Sequence, residues 1–243
     1  MKFIYKLVRF AKRIFHESSY FDSSDKYIDH LRTIGVKVGN GSCIFDTHHV
    51  DIDETRPELL EIGDNVFIHR GTTIMTHDWA SWCFVNSHNE FYPAHRKIII
   101  GNNVWMGMNV TILGGAIIGD NVIIGAGSIV TKPIPSNSVA IGSPAKVVSS
   151  YEEYMKKRKK EYVDEAIEYA NAIIDSGRKP VEEDFYDDYP CFVDGHNYKD
   201  YKYPYSRVFN PSQFESWKSN HKAVFNGFDD FMKKVYSLRK NER

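Results

Sequence analysis

Histidine and aromatic residues concentrate in one stretch of the sequence, from Thr76 to His95, with a His77-Asp78 pair near its start. Histidine gains and loses a proton near neutral pH, so it often serves as a general base or acid. Aromatic rings offer an apolar surface on which a ring-shaped ligand can stack. The stretch therefore combines a residue suited to proton transfer with residues suited to binding.

A catalytic histidine benefits from a carboxylate that fixes its tautomer and stabilises its protonated form. Asp78 is adjacent to His77, and three further acidic residues lie earlier in the chain, namely Asp51, Asp53 and Glu54. The sequence leaves the choice among these four carboxylates open.

The residues around this stretch follow a six-residue repeat. The leading positions are Ile100, Met106, Ile112, Ile118, Ile124 and Val130, and a second series reads Val104, Val110, Ala116, Val122, Ser128 and Ile134. Glycine follows the leading residue at Gly101, Gly107, Gly119 and Gly125. Because glycine recurs and most of the apolar residues are β-branched, the pattern does not favour a helix.

A period of six fits a short strand followed by a corner, where glycine or asparagine takes conformations that other residues avoid. Three hexads close one triangular coil, and stacked coils form parallel strands about 4.8 Å apart. The same phase appears upstream at Val38, Ile44 and Val50, and again at Ile62, Ile68 and Ile74. The register breaks after Ile74, so residues 75–99 are predicted to loop out of a solenoid spanning 34–148. Loops on a rigid scaffold often carry function.

Composition excludes several classes of protein. The chain has 243 residues and a net charge of −1, without the basic excess of a protein that binds nucleic acid. Its three cysteines form no CxxC pair, which argues against a disulfide scaffold or a structural zinc site and fits a reducing cytoplasm. No apolar run reaches the roughly 18 to 20 residues that cross a bilayer, and no signal peptide is evident.

Both ends of the chain depart from the repeat. Residues 1–16 interleave basic and apolar side chains at helical spacing, within a first segment of 1–33. This amphipathic helix would lie on an anionic membrane surface, such as the inner face of the inner membrane, or pack against its own protein or a sister subunit. The last segment, 149–243, is predicted to be helical and rich in aromatic residues. Its first helix runs from Tyr151 to Ser176 and ends near Gly177.

Several motifs resemble the hexapeptide-repeat acyltransferases, whose fold is the left-handed parallel β-helix. They are Ile62-Gly63-Asp64-Asn65-Val66, Thr76-His77-Asp78, Ile100-Gly101-Asn102-Asn103-Val104-Trp105, the run from Ile118 to Ser128, and Gly142-Ser143-Pro144-Ala145-Lys146. The resemblance covers about residues 36–148 and is strongest to O-acetyltransferases of sugars and surface polysaccharides, including galactoside, maltose and nodulation acetyltransferases. It implies a mainly β fold.

The resemblance also implies a reaction, the transfer of an acetyl group from acetyl-CoA to a hydroxyl of a sugar or surface-polysaccharide precursor. His77 matches the family's catalytic histidine and would take the hydroxyl proton, with Asp78 beside it. The backbone N–H of Met108 would stabilise the oxyanion of the tetrahedral intermediate. Attack would be direct, in a ternary complex, and no metal is implied.

The family binds coenzyme A in a groove between adjacent subunits of a homotrimer. The positions that match its donor site are Trp105, Gly107, Met108, Gly125, Ala126, Thr131, Lys132 and Lys146. The lysines would face the phosphates. Candidate contacts for the acceptor sugar are Asp51, Asp53, Trp79, Trp82, Tyr92 and His95, together with Phe84 and His88.

Other functions remain open on the sequence alone. The acceptor substrate could be a xenobiotic or an amino-acid hydroxyl, or the chain could be a β-helix trimer without catalysis. A γ-type carbonic anhydrase shares the fold but needs three histidines on zinc. The hexads from Ile100 to Val130 contain no histidine, which disfavours that alternative.

Overall fold

The computed structural model describes residues 20–195, 198 and 211–241. The chain divides into two compact units, residues 1–155 and 156–243. The predicted amphipathic helix at 1–16 lies outside the described residues. Within the described part of the chain, no helix is long and apolar enough to span a membrane.

Short strands dominate the described part of the first unit, which also contains two helices before residue 150. The helices are α1 (Ser24–Ile34) and α2 (Trp82–His88). The strands are β1 (Lys37–Val38), β2 (Cys43–Ile44), β3 (Asp51–Ile52), β4 (Leu60–Ile62), β5 (Phe67–Ile68), β6 (Thr73–Met75), β7 (His77–Asp78), β8 (Ala94–His95), β9 (Ile98–Ile100), β10 (Val104–Met106), β11 (Thr111–Leu113), β12 (Ile117–Ile118), β13 (Val122–Ile124), β14 (Ile129–Val130), β15 (Ser138–Ile141) and β16 (Lys146–Ser150).

Three parallel sheets form the sides of a solenoid. The first has the order β1-β4-β9-β12, the second β2-β5-β10-β13-β15, and the third β3-β6-β11-β14. Strand β16 adds to β15 in the antiparallel direction. Val104 lies opposite Val122 and Met106 opposite Ile124, which is a step of 18 residues. The predicted coil of three hexads is therefore confirmed.

The interior of the solenoid is filled by the apolar side chains of the six-residue repeat, as predicted. All six leading residues are buried, from Ile100 at 2% exposed to Val130 at 0%. Each buried aliphatic side chain contributes roughly 1.5–3 kcal/mol relative to an exposed one. Ser128 occupies a second-series position and is also buried, because its hydroxyl donates to the Gly125 carbonyl at 2.7 Å and accepts from the Gly142 N–H at 3.1 Å.

One row of corners is built from stacked asparagines. Asn65, Asn103, Asn121 and Asn137 all have φ between 53° and 58°, the left-handed region that asparagine tolerates. The Asn103 amide donates to Asn121 at 2.8 Å, and the Asn121 amide donates to Asn137 at 2.9 Å. The coils also approach closely here, since a Cβ on Gly101 would lie 2.7 Å from the carbonyl carbon of Gly119. Asparagine and glycine thus take the corner positions that the sequence predicts.

Helix α1 packs against the first coil. The Ser23 side chain caps its N-terminus, and Gly35, at φ 114°, ends it. Tyr27, Ile28 and Leu31 are buried and belong to the same core cluster as the solenoid interior. The helix therefore covers the apolar residues that the first coil would otherwise expose.

The chain leaves the stack after Met75 and rejoins it at Ile98. Between these points, β7 and β8 pair as an antiparallel hairpin, with His77 opposite His95, and α2 lies within the excursion. The observed excursion is slightly shorter than the predicted loop of 75–99, because Met75 lies in β6 and Ile98 and Ile99 lie in β9.

The second unit is helical and has an aromatic core. The predicted helix is confirmed as α3 (Tyr151–Asp175), which begins at the end of the first unit, and it is followed by α4 (Pro211–Asn220) and α5 (Phe228–Asn241). Short 3-10 turns at Glu182–Phe185 and Tyr189–Cys191 lie between α3 and α4. The core includes Phe185, Phe192 and Phe231.

Candidate active site

An open cleft forms where the strands of the third sheet end. β6, β11 and β14 finish at Met75, Leu113 and Val130, and the excursion leaves the solenoid at the first of these points. The cleft has a volume of about 510 Å³. Its walls are Met75, Thr76, His77, Asp78, Ala94, His95, Arg96, Leu113, Gly114 and Thr131.

His77 and Asp53 form a hydrogen-bonded pair in this cleft. The His77 Nδ1 lies 2.6 Å from Asp53 Oδ2. The pairing follows from the register of β3 and β6, which sets Ile52 opposite Ile74 and lets the Asp53 N–H donate to the Ile74 carbonyl at 2.9 Å. The His77 side chain is 23% exposed and that of Asp53 only 1%, so solvent reaches the histidine and not the carboxylate.

Asp53 is held in its ionised form by its neighbours. Oδ1 accepts from the Thr55 N–H at 3.0 Å and the Thr55 hydroxyl at 2.6 Å. Oδ2 accepts from the Thr76 N–H at 3.2 Å, from the Thr76 hydroxyl, and from His77. Burial raises the pKa of Asp53, but the hydrogen bonds from Thr55, Thr76 and His77 outweigh it and hold that pKa well below its usual range.

The ionised carboxylate determines the tautomer of His77. A carboxylate can only accept hydrogen bonds, so the nitrogen that faces it, Nδ1, carries the hydrogen. In the neutral imidazole, Nε2 is then unprotonated and free to take a proton. Orientation by a buried aspartate is the arrangement that a histidine base requires.

The other three candidate carboxylates do not contact His77. Asp78 Oδ1 accepts from the Ala80 N–H at 2.6 Å, which is a local turn rather than a catalytic pairing. Glu54 binds His30 Nε2 at 3.0 Å, and Asp51 is exposed on β3. Among the four, the tertiary structure thus selects Asp53. Its assignment as a contact for the acceptor substrate requires correction, because its side chain is buried behind His77.

The aromatic residues of the excursion form a surface patch beside this cleft rather than its walls. Trp79, Trp82 and Phe91 have ring centroids 5.9–6.4 Å apart and are 53%, 58% and 40% exposed. Tyr92 donates to Glu90 at 3.0 Å and is 62% exposed. Of the predicted residues in the excursion, only His77, Asp78 and His95 line the cleft. We call Trp79, Trp82 and Phe91 the aromatic patch; Phe91 was absent from the sequence prediction.

Phe84 and His88 lie on α2, where Phe84 is 46% exposed and the His88 Nδ1 lies 2.7 Å from the Ser87 hydroxyl.

The predicted donor residues fall at two different corners. Thr131 lines the cleft, and the exposed Lys132 follows it. Met108 and Ala126 lie at the corner between the second and third sheets, in successive coils, where the Gly127 N–H donates to the Met108 carbonyl at 2.8 Å. Gly107 and Gly125 precede them at the same corner.

The remaining two donor candidates lie outside both groups. Trp105 is on the outer side of the second sheet and packs against Phe45 and Phe67, with ring centroids 5.8 and 5.7 Å away. Lys146 is exposed at the start of β16. A single chain therefore does not bring all the predicted donor residues to the cleft that holds His77.

Three residues at this site, Thr55, Thr76 and Arg96, were not predicted from the sequence as site residues. Thr55 could have been found, because an aspartate whose side chain accepts the N–H two residues later is a common turn signal. Thr76 and Arg96 had no such signal. Thr76 reaches Asp53 because β6 stacks on β3, and Arg96 is placed by the return of the excursion, where its N–H donates to the Thr76 carbonyl at 2.8 Å.

Metal ligands are not clustered in the described part of the chain. No group of three or more His, Cys, Asp or Glu side chains there is arranged to hold a metal ion. Cys43, Cys83 and Cys191 are free thiols.

Comparison with known proteins agrees with the repeat. The family described as bacterial transferase hexapeptide (six repeats) matches residues 97–132. Protein CapG of Staphylococcus aureus is 43% identical over 129 residues, which cover 53% of this chain and 74% of CapG. Galactoside O-acetyltransferase of Escherichia coli (strain K12) is 46% identical over 89 residues, covering 37% of this chain and 43% of that enzyme.

Part of the chain is also similar to a protein of solved structure. A maltose O-acetyltransferase from Clostridium difficile 630 is 32% identical with a TM-score of 0.39, and the match covers 53% of this chain and 76% of that one. These matches leave much of the chain uncovered. The repeat, the parallel stacked coils and the relatives together show that the chain belongs to the hexapeptide-repeat acyltransferases.

Proposed function

We propose that this enzyme is an acetyl-CoA-dependent O-acetyltransferase that acts on a hydroxyl of a sugar or surface-polysaccharide precursor. The observation that carries the proposal is the His77–Asp53 pair at 2.6 Å in an open cleft. Its support from relatives is the similarity to a galactoside O-acetyltransferase and to a maltose O-acetyltransferase. The coils are proposed to wind left-handed, as in that family.

His77 acts as the general base in this proposal. Its unprotonated Nε2 takes the proton of the acceptor hydroxyl as the oxygen attacks the thioester carbonyl. The imidazolium that forms is stabilised by the ionised Asp53, which is buried and therefore acts in a low dielectric. When the intermediate collapses, the same nitrogen returns the proton to the departing thiolate sulfur. No covalent acyl-enzyme is formed.

The proposal includes a second copy of the chain that completes the site, because the proposed donor and base lie at different corners of the solenoid. Met108 is 46% exposed, and its N–H is the proposed donor to the oxyanion, yet it lies at a different corner from His77. In a cyclic trimer, the Met108 corner of one copy would face the His77 cleft of the next. Gly107, Gly125 and Ala126 would then flank the donor from one side, and Thr131 and Lys132 from the other.

The two exposed lysines are proposed to bind the phosphates of coenzyme A, as point charges. The aromatic patch is proposed to stack on the sugar acceptor, since sugar rings have apolar faces. We propose that the acceptor is a sugar linked to a lipid at the cytoplasmic face of the inner membrane. The basic residues within 1–16 would then bring the enzyme to this anionic surface.

Replacement of His77 by alanine tests the proposal. We expect a fall of at least about 10²-fold in acetyl transfer to a sugar acceptor, with acetyl-CoA binding nearly unchanged, because only the base is removed. The measurement is steady-state kinetics beside calorimetric titration with acetyl-CoA. Turnover that survives the substitution would remove His77 from the mechanism. Sedimentation of the same wild-type preparation should show a trimer, and a monomer would contradict the shared site.

A further inference from the structure

Arg96 is a charged residue in the cleft that neither the sequence nor the relatives assign to a role. It lines the same cleft as His77 and follows His95, which lies opposite His77 in the β7–β8 hairpin. Within the described residues, its guanidinium makes no ion pair and no side-chain hydrogen bond. The next residue, Lys97, does find a partner, because its Nζ lies 2.8 Å from Glu61.

The position of Arg96 is fixed by two features of the fold. Its N–H donates to the Thr76 carbonyl at 2.8 Å, directly before His77 in the chain. Its side chain lies over the Gly114-Gly115 turn, where a Cβ on Gly115 would come within 3.1 Å of Arg96 Cδ. Gly115 has φ of 95°, which disfavours any side chain, so the turn keeps the space that the arginine stem uses.

Arg96 is the cation of this cleft without a side-chain partner among the described residues, whereas the two nearby carboxylates, Asp78 in the wall and Asp53 behind His77, already accept hydrogen bonds. Besides Arg96, the cleft is lined by two histidines, His77 and His95, and by one acidic residue, Asp78. Asp78 Oδ1 is already occupied by the Ala80 N–H at 2.6 Å. An unpaired guanidinium presents a rigid fork of N–H donors that matches a carboxylate or a phosphate.

We propose that Arg96 binds an anionic group of the acceptor substrate, a carboxylate or a phosphate, and that the enzyme prefers anionic sugars to neutral ones. This inference rests on the proposed acetyltransferase function. The anion is assigned to the acceptor because Arg96 lines the cleft that holds the base, whereas Lys132 and Lys146, the proposed contacts for the phosphates of coenzyme A, are not among the residues that line it. The pantetheine arm also separates those phosphates from the thioester.

Matched acceptor pairs test the preference. Wild-type enzyme is assayed with methyl galacturonide and its neutral amide, the methyl glycoside of N-acetylneuraminate and its amide, and galactose 1-phosphate with methyl galactoside. We expect kcat/KM to be about 10-fold or more higher for the anionic member of at least one pair, because charge-assisted hydrogen bonds are stronger than neutral ones. No such preference in any pair overturns the inference.

Three variants assign the preference to Arg96. Arg96→Gln should abolish the preference for the anionic acceptor and leave the KM for acetyl-CoA unchanged. Arg96→Lys should retain part of the preference. Lys97→Gln, the matched control, should leave the preference intact. The ratio between two acceptors is measured within one preparation, so partial misfolding does not affect it. A rise in the KM for acetyl-CoA with the acceptor ratio unchanged would place the anion on the donor and overturn the inference.

The two proposals can fail separately. Acetylation of neutral sugars alone would leave the acetyltransferase function standing and remove the role of Arg96. Absence of acetyl-CoA binding by the wild type would remove the proposed function itself.

Discussion

The solenoid body and the excursion at residues 76–97 are built on opposite principles. In the body, each buried residue has an equivalent one coil away, such as Ile118 beside Ile100, and the interior is a continuous column of aliphatic side chains. The excursion repeats nothing and exposes its largest side chains, with Trp79 53% and Trp82 58% exposed. The body can therefore be stable independently of the excursion, which leaves the excursion free to serve binding and chemistry.

The proposed catalytic pair, His77 and Asp53, joins these two regions. Asp53 follows β3 in the body, where its carboxylate is buried, and His77 is the first residue of the hairpin in the excursion. The buried partner provides a fixed geometry, and the exposed partner meets the substrate. The comparison predicts that substitutions in the body change stability, substitutions in the excursion change activity, and substitutions of the pair change both.

Asp53→Asn is expected to have the largest effect, because it breaks the pair from the buried side. The amide keeps the size of the carboxylate but replaces one acceptor by a donor, so His77 loses its fixed tautomer and several N–H and O–H groups lose their acceptor. We expect kcat to fall by at least about 10²-fold, as for other aspartates that orient a histidine. Thermal unfolding should show a loss of stability of at least about 1 kcal/mol.

The pH dependence of stability gives an independent check on Asp53. Because its pKa in the folded protein is lowered, its contribution to stability is present above the unfolded-state value of about 3.9 and is lost as the pH falls towards the folded value. The wild type should lose more stability than Asp53→Asn between about pH 5 and pH 3. Parallel curves for the two proteins would show that the carboxylate is not held in its ionised form.

Ile118→Ala tests the body alone. Ile118 is 1% exposed and lies in β12, on the first sheet, whereas the His77 cleft lies at the end of the third. We expect a loss of about 2–5 kcal/mol in the free energy of unfolding from the cavity that the substitution leaves. The activity per folded molecule should remain close to that of the wild type. A selective loss of kcat at a temperature where the variant is fully folded would contradict the separation of the two regions.

Trp82→Ala tests the excursion and should have the smallest effect. Trp82 is 58% exposed, so the free energy of unfolding should change by less than about 0.5 kcal/mol. The KM for a sugar acceptor should rise several-fold if the aromatic patch stacks on it. Phe45→Ala is the control, because Phe45 is a large aromatic residue directly after β2 that is exposed to a similar extent, at 52%; this substitution should leave the KM for the acceptor unchanged. Dissociation of the oligomer by Trp82→Ala would assign the patch to subunit packing.

Much of the fold could be predicted from local pattern. The period of six located the strands, because a column of stacked coils needs a large aliphatic residue at each equivalent position, as at Ile112 and Val130. The corner residues could also be predicted, because asparagine tolerates the left-handed φ that Asn103 and Asn121 adopt. The second unit has no repeat, and only its first helix had a clear signal in the sequence.

The site was only partly predictable. His77 was predicted as the base because it stands where the repeat breaks and matches the catalytic histidine of the family that the sequence resembles. Its carboxylate partner was not predicted, because Asp53 is 24 residues away and Asp78 is adjacent. Thr76 was missed because its contact with Asp53 depends on the stacking of β6 on β3. Arg96 was missed because the return of the excursion brings it to the cleft, and no spacing rule describes an irregular loop.

The sequence by itself determined the repeat, the stacked parallel strands and the break at which the excursion begins. These depend on side-chain size and backbone preference at each position, which are local properties of the chain. Only the tertiary structure decided which carboxylate orients His77, which residues surround it, and that the predicted donor residues lie at two corners. Those relations depend on how one coil is set over another, and residues distant in sequence become neighbours only when the coils stack.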